Sequence, residues 1–198
     1  DLVTVTGASG FIAKHVVLQL LNRGHRVRGT VRSAARGAEV AAAVRPHLSD
    51  PSGLDERLTF VELDLERDGG WTEAMAGASA LIHTASPFPL AQPRNEEEVI
   101  RPAVDGTLRA LRAAHGAGVG RVVLTSSIAA ISYGDLPPGK PAYDEDDWTD
   151  PDTRPVTPYV KSKTLAERAA WRFVETEAPE LRLTVINPGF LIGPPPDD

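Results

Sequence analysis

The sequence predicts an α/β fold built on a doubly wound parallel sheet, and three observations carry that expectation. Short β-branched runs alternate with helix-patterned segments over nearly all of the 198 residues, a rhythm that calls for a sheet covered on both faces. The first run, Leu2-Val3-Thr4-Val5-Thr6, passes through Gly7-Ala8-Ser9-Gly10 straight into an apolar segment reaching Asn22. The hydroxyl residues Thr125-Ser126-Ser127 end the fifth such run, where ligands bind in such sheets. The expected strand order is 3-2-1-4-5-6, with the ligand over the switch point.

In chain order, Gly24 stops the first helix, and Arg26-Val27-Arg28-Gly29-Thr30-Val31 alternates as a second strand. Ala34 to Val44 is alanine-rich and helical, Pro46 to Arg57 reads as a loop, and Leu58 to Leu63 is a third strand. Trp71 to Met75 opens a short helix and Ala80 to Thr84 is a fourth strand. Ser86 to Arg94 holds three prolines and reads as irregular. Glu96 to Ala117 is a long helix with Val99, Val104, Leu108 and Leu111 on its apolar face. Arg121 to Thr125 and Leu181 to Ile186 complete six strands. Tyr133 to Thr157 breaks the rhythm; a proline-rich, acidic stretch of that length is a functional loop or a disordered one. Its run Asp144-Glu145-Asp146-Asp147 has no histidine nearby and no ligand spacing, so it reads as a solvated acidic surface and no metal is expected.

Composition narrows the function. There is no cysteine, which excludes disulfides, thiolate metal sites and a cysteine nucleophile. No apolar run approaches a membrane span and no leader pattern is visible, so the expectation is a soluble cytoplasmic protein without a membrane partner. A net charge of −6 argues against nucleic acid. Its distribution is uneven: Asp1 stands against Lys14, Arg23, Arg26, Arg28, Arg32 and Arg36 in the first 38 residues, leaving the acidity to the rest. A basic island in an acidic chain suits a small polyanion, although Arg23 and Arg26 read as a solvated helix end. The chain opens at Asp1 directly on a strand, from which a preceding initiator segment is expected.

The island adjoins the glycine turn. Gly7 permits a tight turn, Gly10 admits a pyrophosphate to the backbone, and Ala13 lets the helix pack closely on the strand. The free N–H groups and positive dipole end of that helix favour phosphate. Farther on, Thr157-Pro158 is a helix start, which puts Tyr159 and Lys163 one turn apart on one face. A free tyrosine ionises near pH 10, and a lysine cation about 4 Å away favours the phenolate, which makes the phenol a usable acid. Thr125-Ser126-Ser127 ends the fifth strand, where a hydroxyl can hydrogen-bond a substrate carbonyl.

Gly7-x-x-Gly10-x-x-Ala13, Thr125-Ser126-Ser127 and Tyr159-x-x-x-Lys163, in this order and on these elements, resemble the extended short-chain dehydrogenase/reductase family. The words Val27-Arg28-Gly29-Thr30-Val31-Arg32, His83-Thr84-Ala85-Ser86-Pro87, Tyr159 through Glu167, and Asn187-Pro188 followed by Gly193-Pro194 resemble its branch of dihydroflavonol reductases, cinnamoyl-CoA reductases and NADPH-dependent aldehyde and ketone reductases. The resemblance implies a Rossmann fold, NADP(H) as cofactor and an aldehyde or ketone substrate. It implies Ser127 polarising the carbonyl, Tyr159 donating the proton, and Lys163 tuning Tyr159 and holding the nicotinamide ribose. It places Gly7, Ser9, Gly10, Phe11 and Ile12 at the pyrophosphate, Asp64 and Leu65 at the adenine, Thr84, Ala85 and Ser86 at the ribose and nicotinamide side, and Pro188 beside the nicotinamide.

Position 132 holds serine where plant dihydroflavonol reductases typically carry asparagine, which counts against a flavonoid substrate. The family continues into a smaller C-terminal substrate domain. Residues 1–198 are therefore expected to be the NADP-binding domain with the catalytic Ser-Tyr-Lys, without that second domain. Two other functions remain open: an NAD-dependent sugar-nucleotide epimerase or dehydratase, and a non-catalytic dinucleotide sensor. The first calls for an acid at the end of the second strand, where this chain has Arg32. The second would lose the Tyr-Lys pair, which this chain keeps. With no acid from Leu2 to Ala38, Arg32, followed by Arg36 one turn on, is the expected holder of a 2′-phosphate.

Overall fold

The computed structural model describes residues 1–87, 93, 95–152 and 155–196. Six parallel strands, β1 (Leu2–Thr6), β2 (Arg26–Val31), β3 (Leu58–Glu62), β4 (Ala80–His83), β5 (Arg121–Thr125) and β6 (Arg182–Ile186), form one sheet in the order β3-β2-β1-β4-β5-β6. The helices are α1 (Phe11–Asn22), α2 (Ala34–Val44), α3 (Leu54–Arg57), α4 (Trp71–Met75), α5 (Glu97–Gly116) and α6 (Pro158–Thr176), with 3-10 turns at Arg45–His47 and Ile128–Ala130. The expected order and switch point are observed. The segment from Pro46 to Arg57 is not the plain loop expected of it. Pro46 sits in the first 3-10 turn, where its missing N–H costs nothing, and Gly53, at φ +60°, starts the single turn α3. Within the expected irregular stretch from Ser86 to Arg94, positions 88–92 and 94 lie outside the described residues.

Strand parity divides the core in two. Val3 and Val5 of β1 join Val17 and Leu21 of α1, Val27 and Val31 of β2, and Val40 and Val44 of α2 on one face. The opposite face holds Trp71, Met75, Leu81, Ala110, Leu111, Val122, Ala170 and Phe173, beneath α4, α5 and α6. Thr4 and Thr6 point to this second face, fully buried. Thr4 satisfies its hydroxyl on the Ala74 carbonyl at 2.7 Å, at the end of α4.

The buried stripe of α5 differs from the expected one. Val104 and Leu108 are only partly buried, while Val99, Ala103, Gly106, Thr107, Ala110 and Ala114 face inward. Small residues let α5 approach its neighbours closely: a β-carbon at Gly106 would stand 3.3 Å from the Leu65 side chain.

Gly29 shows how tightly the switch-point side is packed. A β-carbon there would lie 2.8 Å from the Ala8 β-carbon and 2.9 Å from the Phe60 ring, and one at Gly37 of α2 would also meet that ring at 2.9 Å. Phe60 fills the space that these two glycines leave, so neither Ala8 nor the ring has room to retreat. Gly29→Ala is expected to destabilise the protein by about 1–3 kcal/mol, the usual cost of overpacking. A lowered urea midpoint with unchanged slope is the expected readout, and an unchanged midpoint would refute the packing account.

Candidate active site

The turn after β1 is built from backbone. Gly7 has φ +63°, a conformation that costs an ordinary side chain. A β-carbon at Gly7 would stand 3.0 Å from that of Ala85, so glycine here also lets the chain after β4 close on the turn. Thr30 of β2 braces the other side: its hydroxyl accepts the Gly7 N–H at 3.1 Å and its carbonyl accepts the Ala8 N–H at 2.9 Å. Gly10 is the N-cap of α1 and is exposed, with no side chain capping the first turn. Ser9, Phe11 and Ile12 are half-buried around it, and Ala13 is packed inside.

Thr6 and His83 support this corner, and the sequence reading assigned neither a role. The Thr6 hydroxyl lies 2.8 Å from His83 Nδ1 and accepts the N–H groups of Thr84 at 3.1 Å and Ala85 at 3.2 Å. The Thr84 hydroxyl in turn donates to the Thr6 carbonyl. With two donors already on its oxygen, Thr6 gives its own proton to Nδ1, which makes Nδ1 an acceptor and puts the ring proton on Nε2. Burial, reinforced by the Lys163 charge, pushes His83 down to about 3, so it stays neutral at physiological pH. A histidine closing an otherwise apolar strand, opposite a threonine closing the neighbouring one, was the available signal.

At the end of β5, Ser127 N-caps the 3-10 turn, its hydroxyl oxygen accepting the Ala129 N–H at 3.1 Å. That bond leaves the hydroxyl proton able to donate elsewhere. Ser126 behaves differently: its hydroxyl is buried and has no partner among the described residues. The backbone of this turn is tied to the strand end beyond it. Ser126 N–H reaches the Ile186 carbonyl at 2.8 Å and Ile128 N–H the Pro188 carbonyl at 3.0 Å. Thr149 fixes the long acidic segment against the same turn. Its hydroxyl donates to the Ala129 carbonyl at 2.7 Å, its N–H meets the Ala130 carbonyl at 2.8 Å, and Arg168 of α6 holds its carbonyl at 3.1 Å. Within the expected irregular stretch from Tyr133 to Thr157, of which positions 153 and 154 lie outside the described residues, the chain is thus anchored to this turn at Thr149, and the acids Asp144 and Asp147 are gathered by Lys140 at 2.8 and 2.7 Å. No cluster of metal-ligating side chains occurs among the described residues.

Helix α6 starts as its sequence dictates, with the Thr157 hydroxyl accepting the Val160 N–H and Pro158 in the first turn. The Lys163 ammonium lies 5.9 Å from the centre of the Tyr159 ring. Burial drives Lys163 down to about 8, and the nearby Glu167 carboxylate opposes that fall. Lys163, Glu167, Ser126, Ala85 and Ser86 line one hollow of about 10 Å³, room for roughly one water. A larger hollow of about 550 Å³, lined by Asp68, Trp71, Asp105, Arg109 and Arg112, lies between α4 and α5 and contains none of these groups.

Part of the basic island is engaged within the protein. Arg28 donates to the carbonyls of Glu73, Ala74 and Ala76 at the end of α4, Arg23 binds Gln19, and Arg36 pairs with Glu39 at 2.7 Å. Arg32 is exposed at the end of β2. An acid does reach this corner, but from the neighbouring strand: Glu62, opposite Val31, accepts the Ala34 N–H at 2.8 Å at the start of α2. Strand pairing, invisible to a scan of residues 2–38, brings it there. Beyond β3, Asp64 caps its own turn through the Glu66 N–H at 3.0 Å, and the Leu65 side chain packs on Gly106 of α5. No helix among the described residues is long and apolar enough to cross a membrane.

The chain is similar to known proteins in sequence and in fold. The chain is 42% identical over 98% of its length to tetraketide alpha-pyrone reductase 1 of Arabidopsis thaliana, covering 59% of that protein. It is 40% identical over 97% of its length to a putative NADPH-dependent methylglyoxal reductase of Candida albicans, again covering 59%. The chain thus spans about 59% of the length of these relatives. Among solved structures, Gre2 from Candida albicans in complex with NADPH superposes with a TM-score of 0.81 at 35% identity, over 98% of this chain and 59% of that one. Vestitone reductase from alfalfa superposes with a TM-score of 0.74 at 30% identity, over 94% and 56%. The profile of the NAD dependent epimerase/dehydratase family matches residues 3–198, and the chain belongs to that family.

Proposed function

We propose that residues 1–198 form the NADP(H)-binding and catalytic part of a carbonyl reductase that transfers hydride to an aldehyde or ketone and yields an alcohol. One observation carries this reading: Lys163, 5.9 Å from the Tyr159 ring, lines one hollow with Ala85 and Ser86 after β4 and Ser126 after β5, and Ala85 also packs on the Gly7 turn after β1. The names of the relatives support the reductase chemistry, and the NADPH complex of Gre2 supports the cofactor.

The residues present fit such a cofactor. The first turn of α1 carries no side-chain cap, so its N–H groups are available to a pyrophosphate, and Gly7 and Gly10 keep side chains out of its path. Ser9, Phe11 and Ile12 flank that position. Arg32, exposed after β2, would meet a 2′-phosphate, Asp64 and Leu65 would border the adenine, and Thr84, Ala85, Ser86 and Pro188 would hold the ribose and nicotinamide side. When bound, NADPH supplies the hydride. Ser127 donates its free hydroxyl proton to the carbonyl oxygen. Tyr159 delivers a proton to the same oxygen, and the Lys163 cation stabilises the negative charge left on the phenol. We assign the covering of the substrate to a smaller domain outside these residues. In its support, Phe190 and Ile192 are 99% and 96% exposed beside this end of the sheet.

On the full-length protein, Tyr159→Phe is expected to lower turnover by about 10²–10⁴-fold, while NADPH affinity stays near wild type. Retention of more than about a tenth of wild-type turnover, with chemistry rate-limiting, would assign the proton to another group. Lys163→Ala should weaken both turnover and NADPH binding, and a purely catalytic defect would contradict the ribose contact.

Cofactor choice gives a separate test. Arg32→Ala should cut the ratio of NADPH to NADH efficiency by roughly ten- to a hundred-fold, mainly by weakening NADPH. Glu62→Gln should raise that ratio, since a carboxylate at the start of α2 repels a phosphate placed there. Equal use of both cofactors by wild type, or an Arg32→Ala variant with an unchanged ratio, would overturn the assignment.

A further inference from the structure

Glu167 lies one helical turn beyond Lys163 and is 5% exposed. Its two oxygens face different elements. Oε2 accepts the Asn187 side-chain N–H at 2.8 Å, at the end of β6, and Oε1 accepts the Trp171 indole N–H at 3.3 Å. The same Asn187 nitrogen donates to the Ser127 carbonyl at 3.1 Å. A single carboxylate is thereby joined through one amide to the residue at the end of β5, while its own helix carries Tyr159 and Lys163. Glu167 and Lys163 form no direct ion pair; they border the same water-sized hollow, shielded from bulk solvent, where a charge acts over a longer range than at the surface. The other titratable groups acting on Lys163 are Tyr159 on α6 and His83 on β4, the latter neutral. From β5 and α5 the hollow receives Leu124, Thr125, Ser126 and Thr107, none of them charged.

We infer that Glu167 is a positioning residue of the reductase site: through Asn187 it fixes the Ser127 turn relative to α6, and through its charge it keeps Lys163 protonated. The inference rests on the proposed reductase function. The two roles separate chemically. Glu167→Gln keeps one acceptor oxygen for Asn187 and releases the exposed Trp171 indole to water while removing the charge, whereas Glu167→Ala removes both the charge and the Asn187 bond. Loss of the anion favours the deprotonated form of Lys163, so the alkaline limb of activity that Lys163 sets moves to lower pH. This agrees in sign with the opposition between burial and Glu167 at Lys163.

The test uses the full-length protein. In Glu167→Gln the alkaline limb of kcat/KM for carbonyl reduction is expected to fall by roughly one pH unit, with kcat below that limb near wild type. In Asn187→Ala the limb should stay in place and kcat should drop about tenfold or more at all pH values, with NADPH affinity retained. A purely structural Glu167 would lower the denaturation midpoint and leave the limb unmoved, which would overturn the inference. Titration of Lys163 by NMR, its signal assigned by loss in Lys163→Arg, reads the charge effect without catalysis. The Lys163 titration is expected to shift downward in Glu167→Gln, and an unshifted titration would also overturn the inference. A wild-type protein that reduces no aldehyde or ketone in the presence of NADPH would instead refute the reductase reading, with the titration still deciding the role of Glu167.

Discussion

The Thr6 hydroxyl joins the halves of the doubly wound sheet at the point where strand order reverses. A hydroxyl has one proton and two lone pairs, and all three are used: His83 Nδ1 takes the proton, and the N–H groups of Thr84 and Ala85 occupy the oxygen. Two N–H groups that leave the sheet ladder after β4 are thereby satisfied inside the protein, which an apolar side chain could not do. With Thr84 and Ala85 fixed, Ala85 can stand against Gly7 at a separation that would crowd a β-carbon there. The glycine turn, and hence the entry of α1, follows from that approach.

A parallel sheet places every strand's C-terminal end on one edge, so residues far apart in sequence share one floor. What converts proximity into a site is the set of bonds between these ends. Ser126 and Ile128 bond to the β6 end, Thr149 holds the acidic segment on the same turn, and Arg168 of α6 holds Thr149. Burial then sets the charges. His83 is kept neutral and Lys163 is drawn down toward neutrality, with Glu167 as the opposing anion. Of the basic residues of the first 38, Arg28 serves the fold, on the last carbonyls of α4.

Much of this was legible in the chain because local signals agreed with the global fold. Gly24 stops α1 with φ +80°, Thr157 and Pro158 start α6, and the alternating runs became strands in the expected order. What escaped depended on pairing between distant residues. Glu62 reaches the start of α2 only because β3 lies beside β2. The buried stripe of α5 holds the expected Val99 and Leu111, but between them lie small residues selected for clearance, above which hydropathy ranks Val104 and Leu108. Thr6, His83 and Asn187 carry polar roles on strand ends, where a threonine or an asparagine has no distinctive spacing. Trp71 and Glu73 at the head of α4 lent no hint that the other end of that helix is capped by β2.

The anchoring of the acidic segment also bears on how such a protein can diversify. Between Tyr133, whose N–H meets the Thr149 hydroxyl at 2.9 Å, and Thr149 itself, the chain forms a closed excursion whose two ends are clamped together. Its outer part turns at Gly139, φ +82°, and is organised internally by Lys140. Length and composition at that tip can drift across generations without disturbing the clamp, and the serine turn beneath it inherits no strain from the change. The fold thus separates a stretch open to evolutionary trial from the machinery it borders.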